Sequence, residues 1–178
     1  MLDALQLIGG IIVIVGFLFG VYQYYVAQRW KKAEFAANQL LKLSSNPDLE
    51  LCCRILDWQQ RPFSIPERYR DFTGQTVLNH TWQELEQAMK PETINPTFTG
   101  QQALYRDLFD QFFTYLGDID HFIGIGLINL NDVSSLKYWL EQIANPRFTP
   151  ESIFKRYIEF YQYNGVIDLM RRFGIRFR

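Results

Sequence analysis

Leu7-Ile8-Gly9-Gly10-Ile11-Ile12-Val13-Ile14-Val15-Gly16-Phe17-Leu18-Phe19-Gly20-Val21-Tyr22-Gln23-Tyr24-Tyr25-Val26 is the stretch on which the fold turns. It lies inside a charge-free run from Ala4 to Gln28. As a helix rising ~1.5 Å per residue, twenty such residues extend roughly 30 Å, the thickness of a bilayer's hydrocarbon core. Tyr22, Tyr24, Tyr25 and Trp30 gather at its C-terminal edge, and Arg29, Lys31 and Lys32 follow at once. Aromatic rings and cations in that order suit a membrane interface. Asp3 is the only charged side chain before the run. The pattern predicts a transmembrane anchor at 1–28, a single pass through the bacterial inner membrane. The positive-inside rule then puts the N-terminus outside and the body at 29–178 in the cytoplasm.

A cleaved signal peptide needs a basic start, a shorter apolar stretch and a small-residue cleavage site, none of which fits Asp3 and the basic-aromatic stop. A buried helix of a globular core rarely runs this long without charge. Gly9, Gly16 and Gly20 share one helical face, and Gly16-Phe17-Leu18-Phe19-Gly20 is a G-x-x-x-G, the pattern that lets two helices approach closely. That face is a candidate for helix packing, with a membrane-protein partner or with a second copy. Between Gly20 and Gly74 there is no glycine, and no proline occurs before Pro47, so one helix is expected to continue to about Ser44.

Downstream, the sequence reads as an all-α body, a compact multi-helix bundle. Asn46-Pro47-Asp48 is helix-start chemistry, with the cap followed by proline at the first position. That helix is expected to end near Trp58. Pro62, Pro66 and Gly74 interrupt helical pattern, and Pro62–Ile65 with Thr76–Asn79 are compatible with one small β-hairpin. Thr81-x-x-Glu84 opens a short helix. Leu104, Leu108, Phe109, Phe112, Phe113, Leu116, Ile119 and Phe122 recur at helical spacing over 101–123. Further helices are expected at 132–144, from Thr149-Pro150 toward Asn164-Gly165, and in a last short piece at 166–173.

Composition limits the function. The 178 residues carry 18 Lys and Arg against 19 Asp and Glu, a formal net charge of -1. A general nucleic-acid binder needs a basic excess, so no nucleic-acid partner is expected. Mean hydropathy is -0.14, which excludes a multi-span membrane protein. The two cysteines, Cys52 and Cys53, cannot form a disulfide framework.

Trp30-Lys31-Lys32-Ala33-Glu34-Phe35, Asn46-Pro47-Asp48 leading to Leu56-Asp57-Trp58, Tyr138-Trp139-Leu140-Glu141, Tyr157-Ile158-Glu159 and Gly165-Val166 together resemble an uncharacterised family of small bacterial single-pass membrane proteins with a helical cytoplasmic domain. The resemblance implies the same anchored architecture. It carries over no catalytic residue.

Motifs for chemistry are sparse. There is no phosphate-binding loop, no dinucleotide fingerprint and no nucleophile elbow. Gly124-x-Gly126 follows a helix rather than a strand and reads as a helix end. Asp107, Asp110, Asp118 and His121 share a helical face, but helical metal sites draw ligands from several helices, so a solvated polar stripe is the better reading. Adjacent cysteines rarely bridge, and both sit on an apolar arc, which predicts buried, inert thiols. His80 is placed in a turn. Catalytic residues stay unknown, and neither a cofactor nor a metal is expected.

The C-terminal Arg171-Arg172-Phe173-Gly174-Ile175-Arg176-Phe177-Arg178 alternates cations with apolar groups, as segments do that touch lipid or a protein partner. The competing reading is a packed tail with snorkelling arginines. The whole predicts a membrane-anchored helical interaction module, an adaptor or accessory subunit of a membrane complex, with lipid and a protein or second copy as partners. The alternative is a membrane-bound enzyme or small-ligand sensor with a pocket among the helices. An exposed apolar patch favours the first, a closed pocket with a polar cluster the second.

Overall fold

The structure is a computed structural model that describes residues 2–94 and 97–177, the side chains of 2–9 and 11–13 excepted. Its first element, α1, is one unbroken helix, Leu2–Ser45. The lack of internal proline and of glycine after Gly20 lets it run that far. Asn46 then caps α2, Pro47–Asp57, with its side chain accepting from the backbone N–H groups of Asp48 and Leu49. Strand β1, Gln60–Ser64, pairs antiparallel with β2, Val77–Thr81, in the register Gln60↔Thr81 through Ser64↔Val77. Between the strands lies α3, Glu67–Thr73, which ends at Gly74 in the left-handed conformation (φ 64°). The expected hairpin is therefore a strand pair bridged by a helix. Pro66 fixes the entry to α3 and Gly74 its exit, so the breakers bracket a helix rather than forbid one.

Helix α4, Trp82–Ala88, is capped by the Thr81 hydroxyl on the Glu84 N–H. Helix α5, Gly100–Gly124, opens with a reciprocal capping box between Thr99 and Gln102. It is the centre of the core. Leu104, Phe109, Phe112, Phe113, Leu116 and Ile119 are all fully buried, as their spacing predicts. A 3-10 turn, Leu130–Val133, leads into α6, Leu136–Ala144. Helix α7 spans only Lys155–Phe160, later than the Thr149-Pro150 start expected from sequence. The intervening chain is tied down instead: Ser152 donates its hydroxyl to the Ile143 carbonyl at 2.6 Å and accepts from the Phe154 N–H. This seats Phe154 in the core. Helix α8, Asn164–Arg172, begins where a stop was expected.

Gly165 explains that last difference. A Cβ there would stand 2.8 Å from the Gly117 Cα on α5. The glycine is needed for close approach of two helix backbones, not for a left-handed turn. From that contact Val166, Leu169 and Met170 enter the core.

The expected transmembrane anchor is corrected. Among the described residues, no helix is long and apolar enough to cross a membrane. From Ile14 on, where the side chains are described, the stretch is charge-free to Gln28, but Gly16, Gly20, Tyr22, Gln23, Tyr24, Tyr25 and Gln28 dilute its aliphatic content, and freedom from charge is not hydrocarbon character. The inner-membrane location and the outside-to-inside orientation fall with the span. The expectation that Tyr22, Tyr24, Tyr25, Arg29, Trp30, Lys31 and Lys32 mark the edge of a span falls with it.

Gly165→Ala is expected to destabilise the fold by about 1–3 kcal/mol, because the new methyl meets backbone that cannot rotate away. Gly117→Ala meets nothing within 4 Å and should be neutral or gain up to about 1 kcal/mol from helix propensity. Urea denaturation of both variants checks this; equal effects would refute the crossing as described.

Candidate functional site

The second half of α1 is seated on the body. Ala36 and Gln39 are buried there. Tyr115 donates its hydroxyl to the Gln39 carbonyl at 3.1 Å. Phe35 meets Phe122 edge-on at 5.1 Å between ring centres. Lys32 donates to the Gly126 carbonyl at 2.6 Å, so its ammonium closes the end of α5 rather than facing lipid headgroups. N-terminal to Lys32 the support ends, and the helix stands in solvent with Tyr22, Tyr24, Tyr25 and Trp30 all exposed. At Gly16 and Gly20 a Cβ would find nothing within 4 Å, so the face expected to pack is open. The surroundings of Gly9 lie outside the described residues.

Polar groups inside the body hold elements together. His80 lies on β2, not in a turn, and is fully buried. Its Nε2 is 2.9 Å from the Trp58 carbonyl, an acceptor only, so Nε2 carries the proton. Its Nδ1, 2.8 Å from the Tyr105 hydroxyl, accepts. Burial in this ring-lined site, partly offset by the Trp58 carbonyl, pushes its pKa down to about 4. Trp82 Nε1 donates to the same carbonyl at 3.0 Å. Strand alternation marks His80 as inward, in phase with buried Leu78.

Arg106, which the sequence reading passed over, is buried on α5 three residues before Phe109. Its guanidinium donates to the carbonyls of Ala88 and Lys90, both at 3.1 Å, and to the Tyr161 hydroxyl at 2.5 Å. It also lies over the rings of Phe98, Tyr157 and Tyr161 at 4.3, 4.9 and 5.1 Å. An arginine in phase with an apolar stripe was the available signal. One turn on, the Asp110 carboxylate accepts from Tyr157 at 2.6 Å and Tyr163 at 2.7 Å. Burial first, then the hydrogen bonds to that carboxylate, raise both phenol pKa values.

The acidic stripe is thus dispersed. Asp110 serves the tyrosines, Asp120 takes Arg172 at 2.6 Å, and Asp118 and His121 face solvent. Among the described residues no three His, Cys, Asp or Glu side chains converge as metal ligands. Asp48 is buried beside Arg68, which also donates to Tyr69 at 2.6 Å and Gln111 at 2.8 Å. Burial raises the Asp48 carboxyl pKa, with Arg68 opposing.

Among the described residues, clefts open to solvent beside Met89 and beside Asp48. The larger, about 750 Å³, is lined by Met89, Lys90, Glu151, Lys155, Arg156 and Glu159, a surface of mixed sign. The smaller, about 380 Å³, lies beside Asp48, Glu67 and Arg68. In the C-terminal segment Ile175 is buried, and Phe173 and Phe177 pack partly against the core. Arg171 pairs with Asp168 at 2.5 Å, and Arg176 is exposed while its carbonyl accepts from Asn145. The apolar groups offered for lipid or partner contact are spent on the body. Arg178 lies outside the described residues.

Cys52 and Cys53 are buried on α2. Burial pushes both thiols up, Cys53 to about 12, with Cys53 and Asp48 adding to the rise at Cys52, and Asp57 and Glu50 to that at Cys53. Both should resist a water-soluble maleimide in the native protein and react after denaturation; fast native labelling would refute this. His80 gives a pH test. The unfolded state takes up a proton near 6.5 and the folded state only near 4, so stability is full above 6.5 and falls as pH drops between those values. The loss is expected to be about 3 kcal/mol, and His80→Gln should lack that component of the pH slope. A parallel slope in the variant would refute the assignment.

Comparison with protein families, curated proteins and solved structures finds no match to this chain, so every role above rests on its own residues.

Proposed function

We propose that the chain is a non-catalytic helical interaction module, an adaptor or accessory subunit, that offers the free half of α1 to a protein partner. The observation that carries this reading is the exposed apolar surface between Ile14 and Trp30 on a helix whose other half is fixed to the body. Monomeric proteins rarely leave so large an apolar surface in water, and where they do it marks a contact site. The body supports the reading by its economy: His80, Arg106, Asp110 and both cysteines are engaged in packing or in bonds between elements.

Native affinity purification of the full chain, with quantitative mass spectrometry, tests it. A stoichiometric protein is expected to accompany the wild type and to be lost when Phe17, Phe19 and Tyr24 are replaced by Ser. Purification of the chain with a bound small molecule and no protein would overturn the reading in favour of an enzyme or ligand sensor.

A further inference from the structure

Ten large apolar side chains between Ile14 and Trp30 are each 50–73% exposed, and at 100° per residue they cover about 240° of the circumference of α1, the rest carrying Gly16, Gly20, Gln23 and Ala27. A helix apolar over so wide an arc is a helix that becomes covered. At roughly 100 Å² of exposed surface for each such side chain, the ten present on the order of 1,000 Å². That exceeds the ~300–600 Å² patch of an ordinary monomer.

Charge and register identify what fits. From Ala4 to Gln28 nothing selects or repels a charged surface. The two ends differ in sign, Asp3 at one and Arg29, Lys31 and Lys32 at the other. The small residues Gly9, Gly16, Gly20 and Ala27 fall within about 40° of arc at 100° per residue. Their positions are symmetric: 9 with 27 and 16 with 20 share the midpoint 18. In an antiparallel pair centred there, Gly9 of one copy faces Ala27 of the other, and Gly16 faces Gly20. Asp3 then falls opposite position 33, within about one turn of Lys31, Lys32 and Arg29. A sequence that maps onto itself under this reversal is what a two-fold interface requires. A parallel pair would bring like charges together at both ends.

We infer that the apolar halves of α1 from two copies of this chain pair antiparallel, with Gly16 of each against Gly20 of the other. This rests on the reading of α1 as an interaction arm and names the arm's partner as a second copy. Small residues opposite small residues let the helices approach, and the flanking Phe17, Phe19, Tyr24 and Trp30 side chains cover one another.

Sedimentation of the full chain across the micromolar range tests the pairing. A concentration-dependent dimer is expected. The double variant G16L/G20L should weaken it at least tenfold while leaving helix content unchanged, because the space over both glycines is empty. Oxidative cross-linking tests the direction, since buried Cys52 and Cys53 stay silent. A mixture of G9C and A27C chains should cross-link, and A27C alone should not, its two copies lying about 27 Å apart along the axis at 1.5 Å per residue. A monomer, a dimer indifferent to G16L/G20L, or efficient cross-linking of A27C to itself would overturn the inference. A monomer that still captures another protein through the arm would remove this pairing and leave the proposed function standing. A dimer that captures nothing else would do the reverse.

Discussion

The body is assembled around one steric permission: α8 can lie on α5 because Gly117 and Gly165 bring backbone against backbone. Helix pairs ordinarily stand 8–10 Å apart, held off by side chains. The missing side chain at Gly165 lets α8 settle against the α5 backbone at Gly117. Several features then fall into place. Val166, Leu169 and Met170 reach the core, and Arg172 comes within 2.6 Å of Asp120. The chain entering α8 carries Tyr163 to Asp110, beside Tyr157 from α7. The tail after α8 then lies where Ile175 and Phe177 find apolar surface, which is why a segment that reads as an interfacial peptide is mostly packing.

Burial of polar groups is the second organising feature. Two of the buried polar side chains bridge elements far apart in sequence: His80 joins β2 to α5 and to the end of α2, and Arg106 joins α5 to α4 and the loop after it and to the end of α7. Such groups are costly unless satisfied, and here nearly all are. A unit slip of β2 would expose His80 and bury Asn79, leaving the Trp58 carbonyl without its two donors. The strand pair is only five residues long, so this bonding, more than the ladder itself, specifies its register.

Much of this was legible in the sequence where local chemistry coincides with local structure. The α2 cap at Asn46, the α5 apolar stripe, the unbroken α1 and the burial of Cys52 and Cys53 all follow from residues within a few positions of each other. What was misread depends on distant partners. Gly165 looks like a helix stop until Gly117 is opposite it. Thr149-Pro150 looks like a helix start until Ser152 is tied to Ile143. Arg106 in an apolar stripe was overlooked because its carbonyl acceptors lie on a loop with no pattern of its own. The transmembrane anchor is corrected for another reason: among the described residues no helix is long and apolar enough to cross a membrane, because from Ile14 on tyrosine, glutamine and glycine interrupt the aliphatic run.

The free half of α1 poses a question of helix stability that the seated half answers. An isolated helix in water must meet the nucleation cost from its own few favourable turns, and β-branched and glycine residues such as those around Val15 and Gly16 make that harder. Here the nucleus already exists. Residues 32–45 are held helical by Lys32 on Gly126, Phe35 on Phe122 and Tyr115 on Gln39, and the helix beyond needs only propagation. The body therefore acts as a permanent helix nucleus for the arm. A partner meeting it does not have to order the backbone, which removes a large part of the entropy cost of association. The same rigidity fixes direction. With no glycine or proline between Gly20 and Ser45, the arm cannot fold back to hide its apolar surface on the body, so that surface can be covered only by another molecule.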